Sequence, residues 1–329
     1  SIREWTKTMK KKLSLVAGAA ALGLILTGCG SSEESSTASS SIKVVAAMYP
    51  LEFVATAIGG DLVSVENFTP PGVEPHDLEL TPSQVVTLDD ANLLLFISGF
   101  QPALEEAAQQ SAPADSLDLL SIKGLNLLTA TEDGHDHGHD EAEKHSDESD
   151  EEAHSDEEMV NDPHVWLDPE RLIVVAKAVA SKFSEVDPAN SETFESNLST
   201  FVTKLENLDE KFVSGLASCE RDLIVTSHAA FGYLADAYGL NQEAISGLSP
   251  ESEPTPKRLN EIGKEARADG TTTIFFETLA SPKVAQTLAD DLNIEAAVLD
   301  PIEGISEGQT YFSIMESNLK ALQKALNCE

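Results

Sequence analysis

The sequence is short of positive charge. Its 329 residues include 57 acidic residues and only 21 Lys and Arg, which gives a formal net charge of -36. Nucleic-acid binding requires Lys and Arg clustered against phosphates, so this composition excludes a nucleic acid as the expected partner. An acidic surface suits a cation ligand, but it also suits any merely soluble acidic protein, and charge alone does not choose between them.

The apolar run near the start is too short to span a bilayer comfortably. It covers residues 13–26, follows three lysines and precedes Thr27-Gly28-Cys29. A basic region, a short apolar run and small residues before a cut predict an export signal over residues 1–29. Leu26-Thr27-Gly28-Cys29 resembles the bacterial lipobox, whose cysteine is lipidated and becomes the mature N-terminus. We therefore expect Cys29 to carry lipid, the Ser-rich residues 30–41 to be a flexible tether, and the protein to lie outside the cytoplasmic membrane, lipid-anchored or periplasmic.

Cysteine is scarce as well. Apart from Cys29, the sequence contains only Cys219 and Cys328. An exported protein meets an oxidising compartment in which cysteines pair. This predicts a Cys219–Cys328 disulfide, which would tie the chain near residue 219 to the last predicted helix. Two free buried thiols are the alternative.

Apolar strands alternate with helical patterns in two parts of the chain, before residue 131 and after residue 222. This alternation predicts an α/β protein with two lobes, each a mainly parallel sheet flanked by helices. Between them, residues up to about 217 show apolar side chains at spacings of three and four, typical of one long rigid spine helix. We expect a first lobe over 42–168, linking helices over 169–218 and a second lobe over 219–329. No repeat is visible by sequence identity.

Residues 132–160 differ in composition from the rest of the chain. They are rich in Asp and Glu and nearly free of apolar side chains, so we expect this insertion in the first lobe to be disordered. Five of the eight histidines lie here: His135, His137, His139, His145 and His154. Imidazoles so closely spaced on a flexible chain can bind Zn²⁺ weakly, which predicts auxiliary metal capture or sensing. The alternative is a solvated linker whose histidines are incidental.

Only three histidines lie outside this insertion: His76, His164 and His228. His76 and His228 each follow a predicted strand, at the sheet edge where open parallel sheets place ligands. His164 lies between two prolines, from which we expect extended backbone. Asp168 is placed to cap the helix that follows, with Pro169 at its first position.

Three imidazoles and one carboxylate form a suitable tetrahedral site for Zn²⁺. The fourth ligand is left open. Asp300 is favoured because it follows a strand and precedes a proline, Glu277 is the competitor because it follows another strand, and water is the remaining choice. One carboxylate could bind the ion while the other hydrogen bonds to a ligand.

The chain resembles zinc-binding lipoproteins of the ABC-transporter metal solute-binding protein family, whose members take zinc or manganese. The resemblance covers residues 42–329. The matching pieces are the lipobox, residues 72–82 around His76, the His-rich insertion, Asp162-Pro163-His164-Val165-Trp166-Leu167-Asp168-Pro169, Asp187-Pro188, Ser227-His228-Ala229-Ala230-Phe231-Gly232-Tyr233 and Phe276-Glu277. It implies two lobes joined by a rigid helix, a metal ion bound between them, and delivery to a membrane permease. The His-rich insertion and the third histidine, His228, resemble the zinc-binding members of this family. Manganese-binding members tend to have a carboxylate in place of His228, which agrees with the preference of zinc for imidazole.

These observations predict a monomeric, non-enzymatic protein that captures Zn²⁺ in the cleft between its lobes for an ABC importer. A manganese or iron protein of the same class and an adhesion lipoprotein with structural zinc are alternatives. A zinc hydrolase would need an open coordination position and a nearby base, for which Glu277 is available. The sequence has no His-Glu-x-x-His helix, however.

Overall fold

A parallel four-stranded sheet opens the part of the chain that the computed structural model describes, which comprises residues 41–111, 113–131 and 159–329. Its strands are β1 (Ile42–Ala46), β2 (Val63–Asn67), β3 (Leu93–Phe96) and β4 (Ser116–Asp118), in the order β2-β1-β3-β4. The connecting helices are α1 (Tyr49–Gly59), α2 (Pro82–Asp89) and α3 (Pro102–Gln110). The apolar strands β1 and β3 are central and largely buried, as expected for parallel strands covered on both faces.

A short antiparallel hairpin follows this first lobe. Strands β5 (Thr129–Thr131) and β6 (Met159–Asn161) pair with each other on either side of the acidic segment. The predicted disorder over 132–160 was therefore wrong for residues 159 and 160, which lie in β6 and pair with β5. The sequence did not predict this hairpin, because three-residue strands are too short to show a hydrophobic period.

Two helices connect the lobes. Helix α4 (Pro169–Val186) begins after Asp168, whose side chain accepts from the amide of Glu170, so the predicted cap is confirmed. Helix α5 (Ser191–Leu216) has 26 residues and is about 39 Å long at a rise of about 1.5 Å per residue. It packs against α1 of the first lobe and against the last helix of the second, so the predicted spine helix connects the two.

The second lobe repeats the topology of the first. Its strands are β7 (Leu223–Thr226), β8 (Asn241–Ala244), β9 (Thr273–Phe276) and β10 (Glu295–Val298), all parallel and in the order β10-β9-β7-β8. Its helices are α6 (Gly232–Tyr238), α7 (Pro256–Asp269), α8 (Lys283–Leu292) and α9 (Tyr311–Leu326). In both sheets the first strand lies between the second and the third. The predicted α/β class is confirmed, and the two sheets share a topology that sequence identity does not reveal.

The Cys219–Cys328 disulfide is confirmed and joins the residues that follow α5 and α9. Within the described ranges, no helix is both long and apolar enough to cross a membrane. The export signal 1–29, Cys29, nearly all of the tether and the five insertion histidines lie outside the described residues. The boundaries of the two lobes at 168 and 219 stay predictions.

Candidate metal centre

His76 reaches the centre from a loop of the first lobe. It lies in a single turn of 3-10 helix, Pro75–Asp77, and its amide donates to the Glu74 carboxylate. The buried amide of Gln101 donates to the Pro75 carbonyl at 3.0 Å and to the hydroxyl of Thr69 at 2.9 Å. These contacts attach the loop to the first sheet and thereby fix where the His76 ring lies.

His164 is presented from a turn, so the expectation of extended backbone was wrong. Its φ and ψ are -81° and 36°, and a 3-10 turn, Val165–Leu167, follows it. The physical reason is that a proline restricts the residue before it, here Asp162 and Asp168, and leaves His164 free to turn. The Asp162 carboxylate accepts from the amide of His164 at 2.9 Å and pairs with its Nδ1 at 2.8 Å.

His228 follows β7 and is oriented by Glu277, which follows the neighbouring strand β9. Nδ1 of His228 lies 2.5 Å from Oε1 of Glu277, and the hydroxyl of Ser227 donates to the same oxygen. A carboxylate that accepts from Nδ1 fixes the tautomer and turns Nε2 toward a metal. Glu277 therefore orients His228 and lies outside the group of donor atoms that could hold a metal ion.

Glu303 supplies the carboxylate that faces the three histidines, and the sequence reasoning missed it. Asp300 bends the chain by accepting from the amide of Ile302 at 2.8 Å, and Ile302 has a φ of +59°. The indole of Trp166 donates to the Pro301 carbonyl at 2.7 Å. This turn directs the Glu303 side chain inward, and Asp300 itself points its other oxygen at the hydroxyl of Thr278.

The four side chains converge on one point. Nε2 of His76, of His164 and of His228 each lie 3.4 Å from Oε1 of Glu303. All four donor atoms lie within 4.8 Å of one another. They are buried and have no hydrogen-bond partner, although buried polar atoms are nearly always paired. Such a set of unpaired nitrogen and oxygen atoms is the arrangement that a metal ion satisfies.

The structure thus brings together three of the predicted ligands with one that was not predicted. Asp300 and Glu277 lie outside the group of four, although each contacts or positions a member of it. One sequence signal for Glu303 was available, since it lies in the loop after β10, on the same sheet edge as Asp300. Glu303 does not directly follow the strand, however, which is the feature that favoured Asp300 and Glu277.

Burial and neighbouring charged groups shift the pKa values of the side chains at this site. Burial lowers the pKa of His164 and of His228, but their pairing with carboxylates outweighs it, so both pKa values are raised, that of His228 well above its usual range. Burial lowers the pKa of His76. Burial raises the pKa of Glu303, but the three surrounding imidazoles outweigh it and hold this pKa well below its usual range. Burial, followed by the charge of Glu303, raises the pKa of Glu74 to about 8.

A cavity of about 520 Å³ leads from the surface to His76. It is lined from the first lobe by Phe100 and Ser98 and from the second by Leu248 and Ser252, with Asn161 of β6 at its side. The side chain of His76 is 10% exposed, whereas those of the other three residues are at most 1% exposed. An ion entering from this cavity would therefore meet His76 first. A second cavity of about 580 Å³, between α7 and α8, contains none of the four residues.

The family model described as ZnuA, the periplasmic component A of the zinc-uptake complex, matches residues 44–325. The zinc-binding protein AdcA of Streptococcus pyogenes is 36% identical over 290 residues, which are 86% of this chain and 55% of that protein. The chain therefore spans about half the length of that relative.

Two further relatives are matched over nearly their whole length. The high-affinity zinc uptake system protein ZnuA of Bacillus subtilis is 33% identical over 327 residues, 97% of this chain and 99% of that protein. The structure of the Zn(II)-bound ZnuA-like domain of Streptococcus pneumoniae AdcA matches with a TM-score of 0.68 and 29% identity, over 87% of this chain and 99% of that one.

Proposed function

The chain belongs to the ZnuA family of zinc-uptake components, and on this premise we propose that it captures Zn²⁺ between its two lobes and delivers the ion to the permease of an ABC importer. His76, His164, His228 and Glu303 are the proposed ligands. The bound ion would join the first lobe, the segment before α4 and the second lobe.

The distances from Glu303 to the three imidazoles carry this proposal. Two ligand atoms bound to zinc at about 2.0–2.1 Å with a tetrahedral angle are about 3.3–3.4 Å apart. Each Nε2 lies 3.4 Å from Oε1 of Glu303. The carboxylates of Asp162 and Glu277 hold two of the rings in the tautomer that binding requires. The site is therefore nearly in binding geometry.

The ligand types favour zinc, and their number favours binding over catalysis. Three imidazoles suit zinc, whereas manganese prefers oxygen ligands. Catalytic zinc sites keep a position open for water, whereas four protein side chains here can occupy all four positions. The zinc-binding names of the relatives also support zinc over manganese and over a hydrolase.

The metal content of the chain tests this function. Purified metal-free protein would be exposed to equal zinc and manganese, desalted and analysed. We expect about one tightly held Zn²⁺ per chain and little manganese, and loss of that ion in His228→Ala. Equal occupancy by manganese, or undiminished zinc in His228→Ala, would contradict the proposal. Turnover of ester or phosphoester substrates by the zinc-loaded chain would support the hydrolase instead.

We further propose that the protein acts as a monomer anchored through lipid on Cys29 at the outer face of the cytoplasmic membrane. The lipobox and the zinc-binding lipoprotein AdcA of Streptococcus pneumoniae, which is 34% identical over 336 residues, support the anchor. Replacing Cys29 with Ser should move the protein from the membrane fraction to the soluble one. Light scattering of the processed chain should give the mass of one copy.

The insertion histidines, His135, His137, His139, His145 and His154, are proposed as weak auxiliary zinc ligands. Deleting residues 132–158 in favour of a short Gly-Ser turn, which keeps β6 intact, should remove the weakly bound ions and leave one tightly bound ion per chain. Loss of the tight ion in this deletion would show that the insertion takes part in the main site.

A further inference from the structure

One hydroxyl group joins the second lobe to both ends of the hairpin β5–β6. The buried Tyr233 of α6 donates to the Asp162 carbonyl at 2.8 Å and accepts from the amide of Leu128 at 3.2 Å. The amide of Asp162 in turn donates to the Leu128 carbonyl at 2.9 Å. Asp162 is also the residue whose carboxylate pairs with Nδ1 of His164. Tyr233 thus fixes the backbone of the residue that orients His164.

The neighbouring residue, Gly232, fixes where the Asp162 carboxylate can lie. A Cβ atom at position 232 would lie 2.7 Å from Oδ2 of Asp162, closer than such contacts occur. The absence of a side chain therefore lets the carboxylate rest against the first residue of α6. Because the other oxygen, Oδ1, pairs with His164, a displaced carboxylate would change the orientation of the imidazole.

Arg171 fixes the position of α6, and with it the position of Tyr233. Its guanidinium lies 4.7 Å from the centre of the Tyr233 ring. It donates to Asp236 of α6 at 2.8 Å, to Asp168 at 2.7 Å and to the Leu125 carbonyl at 2.8 Å. One side chain on α4 thereby ties the first lobe to α6, so the position of Tyr233 is set by both lobes.

From these contacts we propose that Gly232 and Tyr233 are positioning residues for the zinc ligand His164, acting through Asp162. Gly232 fixes the position of the Asp162 carboxylate, and Tyr233 fixes the position of the Asp162 backbone. Neither residue is among the four that face the metal. Asp162 then holds the proton of His164 on Nδ1 and leaves the Nε2 lone pair for the ion. This inference rests on the proposed zinc site. It adds that two residues of the second lobe hold the ligand His164 in its binding orientation.

The chain offers a matched control for the tyrosine. Tyr238 lies on the same helix, and its hydroxyl donates to Asp209 of α5 at 2.9 Å. Tyr233→Phe removes the two contacts of a buried hydroxyl, and Tyr238→Phe removes the single contact of a half-buried one, each without changing the ring. Gly232→Ala is the second test variant, because it disturbs the carboxylate by contact and not by loss of a hydrogen bond.

The first readout is the tautomer of His164 in the zinc-free full chain, measured from the ¹⁵N chemical shifts of its ring. At a pH high enough for the His164 ring to be neutral, we expect the Nδ1–H form in the parent chain and in Tyr238→Phe, and a mixture of tautomers in Tyr233→Phe and Gly232→Ala. An unchanged tautomer in both test variants would overturn the inference. This readout needs no zinc, so it tests the positioning role even if the proposed function failed.

The second readout is zinc affinity, by competition with a chelator. Replacing groups that orient a ligand costs about 10–100-fold in metal affinity, and we expect Tyr233→Phe to fall in this range while Tyr238→Phe binds as the parent does. In an Asp162→Ala background, Tyr233→Phe should add little, because both changes act on one contact. If the parent binds zinc and His164→Ala loses it, but Tyr233→Phe and Gly232→Ala bind like Tyr238→Phe, the positioning role is overturned and the proposed function stands.

Discussion

Oε1 of Glu303 lies 3.4 Å from Nε2 of His76, and these two atoms come from different lobes. His164 and His228 approach the same oxygen to the same distance. A zinc ion bound among these four donor atoms would have ligands from both lobes, so its capture would cross-link them.

Replacing Glu303 with Gln should weaken zinc binding strongly, because a neutral amide replaces an anionic ligand. Loss of a group that only orients a ligand costs about 10–100-fold in metal affinity, and we expect a larger loss here. Competition with a chromophoric chelator measures the change. Glu307→Gln is the control, since Glu307 is an exposed carboxylate in the same loop. Equal affinity in the two variants would mean that Glu303 is not a ligand.

Two substitutions of Asp300 distinguish a metal ligand from a residue that only shapes the loop. Asparagine can still accept from the amide of Ile302, so Asp300→Asn should bind zinc within a few-fold of the parent. Asp300→Ala loses this contact and should bind more weakly, because Glu303 is then less well placed. If Asp300→Asn abolished binding, the sequence-based assignment of Asp300 as the fourth ligand would be restored.

The stability of the zinc-free chain should fall with rising pH, whereas the stabilisation that zinc provides should grow. The folded state raises the pKa values of His164, His228 and Glu74 above those of the unfolded chain, which are about 6.5 for His and about 4.3 for Glu. Each group therefore stabilises the folded state fully below its unfolded pKa, and this stability is lost as pH rises through its folded pKa. The lowered pKa of His76 opposes this with one group. We expect the melting temperature of the zinc-free chain to fall from about pH 5 to about pH 8, the value near which Glu74 titrates.

Zinc binding requires deprotonated ligands, so the increase in melting temperature that zinc produces should grow with pH over the same interval. Thermal unfolding with chelator and with excess zinc measures both trends. Glu303→Gln should flatten the zinc-free trend, because the Glu303 carboxylate helps to raise the pKa of His164 and of His228. A zinc-free melting temperature that rises throughout the interval would contradict this electrostatic account.

The Cys219–Cys328 disulfide should support stability without taking part in metal binding. It closes a loop with a sequence separation of 109 residues, and loss of a native disulfide typically costs about 2–5 kcal/mol. The Cys219→Ser, Cys328→Ser double variant should unfold at a lower denaturant concentration and still bind one zinc ion with unchanged affinity. Reductant should lower the stability of the parent and leave the double variant unaffected.

The sequence predicted the fold, and it singled out three of the four residues whose donor atoms converge, for identifiable reasons. Histidine is rare outside the insertion, so His76, His164 and His228 could be singled out, and apolar strands alternating with helices predict parallel sheets. Glu303 could not be singled out in the same way, because it is one of 57 acidic residues.

The position of Glu303 depends on features that local patterns do not show. Ile302 adopts a positive φ, which is unusual for a β-branched residue, and the turn is held by Asp300 and by the indole of the distant Trp166. Likewise, the contact of Gly232 with Asp162 arises only when the two lobes come together. Tertiary contacts therefore decide which carboxylate faces the histidines.

A crystal of the zinc-loaded chain, with anomalous diffraction recorded on both sides of the zinc absorption edge, tests the central claim most directly. We predict one strong zinc peak at about 2.0–2.2 Å from Nε2 of His76, His164 and His228 and from a carboxylate oxygen of Glu303. A zinc peak bound elsewhere, or one at this point with Asp300 or Glu277 in place of Glu303, would contradict it.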